Sequence, residues 1–352
     1  MDYVLMKGNE AIAEAAIRSG CRHYFGYPIT PQTEISEYMA KMMPKVGGLS
    51  LQAESEIAAI NMVLGASASG ARTMTSSSSP GISLKSEGIS YIAGSDLPCV
   101  IINVQRGGPG LGGIQPAQSD YTQATHAQGH GDMRMIVLAP SSVQEMVSLT
   151  TSAFDMADIY RMPVMLLADG ALGQMMEPVS FDEVTKRDTP EKTWAANGHK
   201  GGRKNNIVNS LYIAPEALEK VVNERYKKYE QIAKNEVQYE EYDCEDSDLV
   251  VVSFGITARI VKSAVKMAND AGLKVGYFRP ISLWPFPNER LLEISKKTKK
   301  FLVTELNMGQ MIDDVKIATQ FNRPIEFYGR TGGMMPSPKD VFEQIMKIGG
   351  TK

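Results

Sequence analysis

The chain has 352 residues, 43% of them hydrophobic and 22% charged, with a formal net charge of −3. That length suggests about two globular domains with ample core material, and the mild acidity leaves no electrostatic footprint for nucleic acid or a membrane surface. Its three cysteines, Cys21, Cys99 and Cys244, are too few for a four-iron cluster and fit reduced core thiols rather than a disulfide frame. No apolar run approaches membrane-spanning length, and "MDYVLMKGNEAIAEAA" is no signal peptide, so a cytoplasmic location is expected.

From the N-terminus, Asn9 to Ser19 reads as a helix stopped by Gly20, and Arg22 to Gly26 as a strand. In "GYPITPQTEISEYMA" a helix is expected over Pro31 to Met43, with Thr30 as its cap and Pro31 at its first position. A helix entry of that kind presents free N–H groups and a positive dipole end, a seat for an anion. "LSLQA" then reads as a strand and "EIAAINMVLGASASG" as a small-residue helix made for close packing. "ARTMT", "LPCVIINVQ", "MRMIVLA" and "MPVMLLAD" are expected strands, with a helix from Ser142 to Ile159 before the last. This alternation predicts an α/β fold with a parallel sheet covered by helices on both faces.

Three segments are expected. Residues 1–180 form the first α/β domain, and 181–247 a polar excursion with one charged helix, Pro215 to Ala233. Leu218, Val221, Val222, Tyr226, Tyr229 and Ile232 give that helix one apolar stripe, expected to pack on the protein's own surface or on a partner subunit. Residues 248–352 form a smaller α/β domain with strands at "LVVVSFG", "LKVGYFRP", "KKFLVTE" and "PIEFYG".

Several residues carry possible chemistry. Glu56 opens a helix after Ser55 and is followed by small and apolar residues; a desolvated carboxyl there could bond a heterocyclic nitrogen. Arg106 ends an apolar strand, where ligands bind in open α/β sheets, and a guanidinium can grip a carboxylate with two bonds. Gly108 to Gly113 fits G-x-G-x-x-G, but no helix opens on it, so a dinucleotide site is rejected in favour of a lid over a ligand. Ser76 to Ser79 sit between a strand and a helix without a nucleophile elbow and are expected to line a cofactor or cap that helix. His126 and His130 lack the glutamate and the helix of a zinc motif and read as polar loop residues.

Taken together, "FGYPITP", "QAESEIAAINMVLGASASGARTMT", "PGISLKSEGIS", "NVQRGGPGLG", "LAPSSVQEM" and "DGALGQM" resemble the pyrimidine-domain subunit of the 2-oxoacid:ferredoxin oxidoreductases. The wording is nearest the 2-oxoisovalerate (branched-chain) subtype, with 2-oxoglutarate enzymes as the alternative. "SFGITARIV" and "YFRPISLWPFP" look like the transketolase C-terminal-like domain that follows in that family.

The resemblance implies that Glu56 bonds N1′ of the aminopyrimidine of thiamine diphosphate, favouring the tautomer that takes a proton from the thiazolium carbon. It implies that Thr30 and Arg106 contact the substrate carboxylate, and that Tyr27, Pro28 and Ser78 lie against the cofactor. Ser79 departs from the pattern, standing where Gly usually precedes Pro-Gly. The G-D-G and Asn pattern for magnesium and diphosphate is missing. The resemblance therefore implies that Mg2+, diphosphate and iron–sulfur clusters belong to partner subunits, with coenzyme A and ferredoxin as co-reactants; a non-catalytic scaffold subunit is the remaining alternative.

Overall fold

The computed structural model describes residues 3–182, 184–199 and 201–349. Positions 183 and 200 of the polar excursion, and the extreme ends of the first and last expected segments, lie outside these. The chain opens with β1 (Val4–Lys7) and α1 (Gly8–Arg18), then β2 (His23–Gly26) and α2 (Thr33–Met42). Next come β3 (Leu49–Gln52), α3 (Glu56–Ala68), β4 (Thr73–Ser77), α4 (Ser79–Gly94) and β5 (Cys99–Gln105). A long loop and the short α5 (Tyr121–Thr125) lead to β6 (Ile136–Leu138), α6 (Val143–Tyr160), β7 (Pro163–Asp169), α7 (Gly170–Gln174) and β8 (Met176–Val179).

After the excursion, α8 (Pro215–Asn235) and β9 (Tyr239–Tyr242) precede β10 (Leu249–Val252), α9 (Gly255–Asp270), β11 (Val275–Pro280) and β12 (Ser282–Trp284). The chain closes with α10 (Asn288–Lys297), β13 (Lys300–Glu305), α11 (Met311–Ala318), β14 (Ile325–Gly329) and α12 (Pro338–Gly349). The first sheet runs β12-β6-β7-β5-β4-β2-β3 and the second β14-β13-β10-β11-β9. Within the first sheet only the β12–β6 pairing is antiparallel; in the second, only β11–β9. The expected parallel α/β architecture is therefore present, with an antiparallel strand on one edge of each sheet. β1 and β8, which hydropathy alone did not single out, pair antiparallel as a separate ribbon.

The two sheets are tied together. β12 follows β11 of the second sheet yet completes the edge of the first, and β9 comes from the excursion to complete the second. One apolar cluster runs without a break from Phe25, Ile60 and Ile101 around the first sheet to Val250, Phe278 and Phe301 of the second. The fully buried Arg279 sits between them, forking onto Glu145 of α6 at 2.7 Å through both terminal nitrogens and pairing with Glu240 at 3.0 Å. Such a fork fixes an angle as well as a distance.

Helix α8 extends to Asn235, two residues beyond the expected end. Of its apolar stripe, Tyr229 and Ile232 are buried, with Tyr229 edge-on to Trp284 at 5.9 Å, whereas Leu218 and Tyr226 remain exposed. Val221 and Val222 are half-buried, so the stripe is most deeply packed on the chain toward its C-terminal end.

Asp169, at the end of β7, takes amide hydrogens from Ala171 at 2.9 Å and Leu172 at 3.1 Å, and another from Ile256 at the start of α9. One carboxylate thus caps two helices that belong to different sheets. Burial raises its pKa from 3.8 to about 6 against those bonds. In the unfolded chain the same group titrates near about 3.9. The folded state therefore holds the proton more tightly, and stability from this group falls as pH rises from about 4 to 6. Asp169→Asn keeps an acceptor oxygen and removes the titration, so its Tm is expected to gain on wild type across that interval and run parallel above it. Tm differences independent of pH would contradict the assignment.

Candidate functional site

The loops that follow β2, β3, β4, β5 and β7 all lie at the carboxyl ends of parallel strands. There strand carbonyls, helix N-termini and side chains converge, which is where open α/β sheets bind ligands. Glu56, Ser78, Ser79, Thr30, Tyr27, Pro28, Arg106 and Gly108 to Gly113 lie in these loops or in the first turn of the helix that follows, while Ser76 and Ser77 end strand β4.

Glu56 is the first residue of α3. Ser55 caps the helix, its hydroxyl accepting from the Ala58 amide at 3.1 Å. Glu56 is nonetheless buried, at 7% exposure, because α4 presses close. A Cβ added at Gly81 would lie 2.7 Å from Oε1 of Glu56 and collide with the Ser77 hydroxyl, and one at Gly88 would collide with Ile60 of α3. These two glycines bring α4 against α3 and exclude water from the carboxylate.

Buried polar atoms without partners lie at this edge of the sheet: Ser77 Oγ, which crowds the same point as Glu56 Oε1, the neighbouring Ser78 Oγ, and Asn103 Oδ1 on the Asp120 side. Ser78 occupies the cap position of α4 but its hydroxyl caps nothing, so the expectation that these serines cap the helix fails at this residue. Ser76 instead turns to the opposite face, bonding Tyr24 Oη at 2.7 Å. Unsatisfied buried polar atoms are costly, and each calls for a reason such as a catalytic role, a bound water or an ion.

Thr30 and Arg106 are brought together: Arg106 Nη1 donates to the Thr30 carbonyl at 3.0 Å and Nη2 to that of Leu111 at 3.3 Å. Thr30 is not a helix cap. Helix α2 begins at Thr33; the Gln32 amide donates to Ile29 at 3.2 Å and Asn9 Nδ2 to the Pro31 carbonyl at 2.8 Å. A turn pinned from α1 thus takes the place of the first helical turn, and Thr30 is exposed in it. Tyr27 and Pro28 are exposed in the same loop, and no hydrogen bond joins either side chain to the Glu56 cluster.

Gly108 to Gly113 form no phosphate-binding turn. The Gly113 amide donates to the Gly107 carbonyl at 2.9 Å, Arg106 bridges to Pro116, and no helix starts before Tyr121. His126 pairs with Asp314 at 3.3 Å while His130 stacks edge-on against Tyr91 at 6.0 Å. The two histidines therefore face different partners.

Sequence reading missed the support beneath Arg106. Ser79 Oγ donates to Asp120 at 2.6 Å and accepts from the Arg106 amide at 3.1 Å, and Asn103 Nδ2 reaches the same Asp120 oxygen at 2.9 Å. Burial raises the Asp120 pKa, the two hydrogen bonds opposing it. No local signal marks Asp120; the departure at Ser79 was the only clue.

Residues 14–241 match the family model described as pyruvate flavodoxin/ferredoxin oxidoreductase, thiamine diphosphate-binding, and residues 247–341 that for pyruvate:ferredoxin oxidoreductase core domain II. The chain belongs to this family of 2-oxoacid:ferredoxin oxidoreductase subunits. It is 48% identical to the ketoisovalerate oxidoreductase subunit VorB of Methanothermobacter marburgensis, over 98% of both chains. The 2-oxoglutarate synthase subunit KorA of Methanocaldococcus jannaschii is 36% identical over 98% of this chain and 100% of its own. A 2-oxoglutarate:ferredoxin oxidoreductase structure from Magnetococcus marinus, with 2-oxoglutarate, coenzyme A and succinyl-CoA bound, superposes with a TM-score of 0.88 at 30% identity. That match covers 98% of this chain but only 65% of the longer one. A split-gene transketolase, 15% identical with a TM-score of 0.62 over 97% of each chain, shares the fold.

The thiamine diphosphate-binding family model spans the strands and helices that carry these open polar atoms. On the outer side of the site, Ser79→Ala removes the bonds to both Arg106 and Asp120 and is expected to cost about 1–2 kcal/mol. Chemical denaturation of the chain measures that loss; unchanged stability would show that the hydroxyl carries no support.

Proposed function

We propose that this chain is the pyrimidine-side subunit of an enzyme that oxidatively decarboxylates 2-oxoisovalerate and other branched-chain 2-oxo acids. Acyl-CoA and carbon dioxide are the products, and ferredoxin takes the electrons. The observation that carries the reading is Glu56, buried at the carboxyl edge of the sheet among unpartnered hydroxyls. The 48% identity to a ketoisovalerate oxidoreductase subunit favours the branched-chain substrate; 2-oxoglutarate is the second reading, supported by the relatives near 36%.

In this reading the Glu56 carboxyl holds the pyrimidine nitrogen of thiamine diphosphate, with Ser77 and Ser78 supplying hydroxyls beside it and Tyr27 and Pro28 bordering the opening. When bound, the cofactor supplies the electron sink for loss of the substrate carboxylate as carbon dioxide. The Arg106 guanidinium, turned toward the Thr30 loop, holds that carboxylate through charge-assisted bonds. Gly81 and Gly88 keep water from Glu56, so that its bond acts in a medium of low dielectric.

Partner subunits would bring the diphosphate-binding domain, Mg2+ and the iron–sulfur clusters, and the assembly would work in the cytoplasm. The thiols of Cys21, Cys99 and Cys244 are buried, Cys21 in one core cluster and Cys99 and Cys244 in another, and desolvation pushes each up to about 12, which supports placing the clusters on partner chains. Among the described residues no helix is long and apolar enough to cross a membrane.

Side-by-side assays of the purified complex with 2-oxoisovalerate, 2-oxoglutarate and pyruvate test the substrate. The highest kcat/KM is expected for 2-oxoisovalerate, and a preference for 2-oxoglutarate would replace the reading. Glu56→Gln should lower kcat by about 10²-fold or more with the assembly intact on size exclusion; turnover near wild type would leave a scaffold role instead. Arg106→Ala should weaken substrate capture, raising KM at a cost of about 2–5 kcal/mol. An unchanged KM would remove it from the site.

A further inference from the structure

Lys85 lies in α4, one helical turn beyond the Gly81 that abuts Glu56. It is fully buried, although lysine is almost never so without a paired charge. Its Nζ makes one hydrogen bond, 3.0 Å to Thr75 Oγ1, which itself donates to the Phe25 carbonyl at 2.7 Å. Thr75 and Ser77 alternate on one face of β4, so the lysine head and the open Ser77 hydroxyl belong to the same side of the sheet. Glu56 makes no direct ion pair with it, yet is the charged group that acts on it. The other acids near α4 are engaged elsewhere: Glu87 with the Tyr91 hydroxyl on the surface, Asp120 with Ser79 and Asn103.

We propose that Lys85 is a positioning residue of the Glu56 site: an ammonium held by Thr75 on the protein side of the carboxylate, setting the charge that Glu56 presents to its ligand. Two buried charges of opposite sign that share one dry compartment stabilise each other's ionised forms. The Lys85 charge then stands behind the carboxylate that meets the ligand. The ligand side of the proposal rests on the thiamine reading above; the coupling of the two side chains does not.

The coupling is tested on the ligand-free full chain. Burial lowers the Lys85 pKa to about 8 while the Glu56 charge opposes the shift. A lysine that is harder to charge when folded costs stability at neutral pH, and that cost is relieved as pH climbs from the folded pKa toward about 10.4. Wild type is therefore expected to gain Tm relative to Lys85→Met above about pH 8, and this gain should begin about one pH unit lower in the Glu56→Gln background. Lys85→Gln, which still reaches toward Thr75, serves if the methionine variant does not fold. A pH-independent difference, or an onset that ignores Glu56→Gln, overturns the coupling.

The ligand side is tested on the assembled enzyme stripped of cofactor. Thiamine diphosphate is titrated calorimetrically at neutral pH in buffers of different ionisation enthalpy, which counts protons taken up on binding. Lys85→Met is expected to change the count relative to wild type, a readout that a packing role would not move; equal counts overturn the role toward the ligand. Failure of wild type to bind thiamine diphosphate would sink the proposed function, and with it the ligand role, while the ligand-free series still decides the coupling.

Discussion

A carboxylate taken out of water at the edge of a sheet is the constraint around which this site is built. Burying Glu56 costs several kcal/mol unless neighbouring groups compensate, and the surrounding sequence is organised to exclude water and then to answer the charge. Gly81 and Gly88 let α4 approach α3, Ser55 holds the first turn of α3 in place, and the buried Lys85 lies one helical turn beyond Gly81. At the site, the hydroxyls of Ser77 and Ser78, the amide oxygen of Asn103 and the Arg106 Nε remain without partners. They lie toward the carboxyl edge of the sheet, as a binding site requires.

The rest of the fold makes that edge rigid. Five strand ends must hold their loops in fixed relation, and the second sheet locks the first through shared elements rather than by simple contact. β12 crosses over to extend the first sheet, Arg279 ties α6 to the strand that precedes it, and Asp169 caps a helix of each sheet. A continuous apolar cluster fills the space between. Two sequence segments that match separate family models are thus one packed body, with the site on the more heavily buttressed sheet.

What the sequence disclosed follows the range of the forces involved. Alternating apolar strands and amphipathic helices are local patterns, and β2, β4, β5, β7 and β10 lie where those patterns put them. Glu56, Ser78, Arg106 and Thr30 were reachable because motif wording marks strand-to-helix turns. The entry to α2 was misjudged at Thr30 because Asn9, some twenty positions away, captures the Pro31 carbonyl; no reading of the turn itself contains that bond. β9, the polar Tyr239–Tyr242, and β12, three residues long, carry no strand pattern of their own and form because distant strands offer them an edge. Asp120, Asp169 and Lys85 matter through their burial, a property of the assembled fold and not of their neighbours in sequence.

The inner and outer halves of the site differ in how far this chain alone can complete them. Glu56 is enclosed by the chain's own helices and needs no other surface to be dry. Thr30, Tyr27 and Pro28, by contrast, are exposed, and Leu111 and Ile114 of the neighbouring loop stand in solvent at 86% and 57% exposure. An arginine gripping a carboxylate in such a setting is screened by water and gains roughly 1 kcal/mol at most, too little to hold a 2-oxo acid for reaction. The same guanidinium becomes a strong anchor once a second surface covers the loop and removes the water. The apolar tips of that loop are what such a surface would cover, so in the proposed reading the Arg106 side calls for a partner surface, whereas the pocket around Glu56 is closed by this chain's own helices.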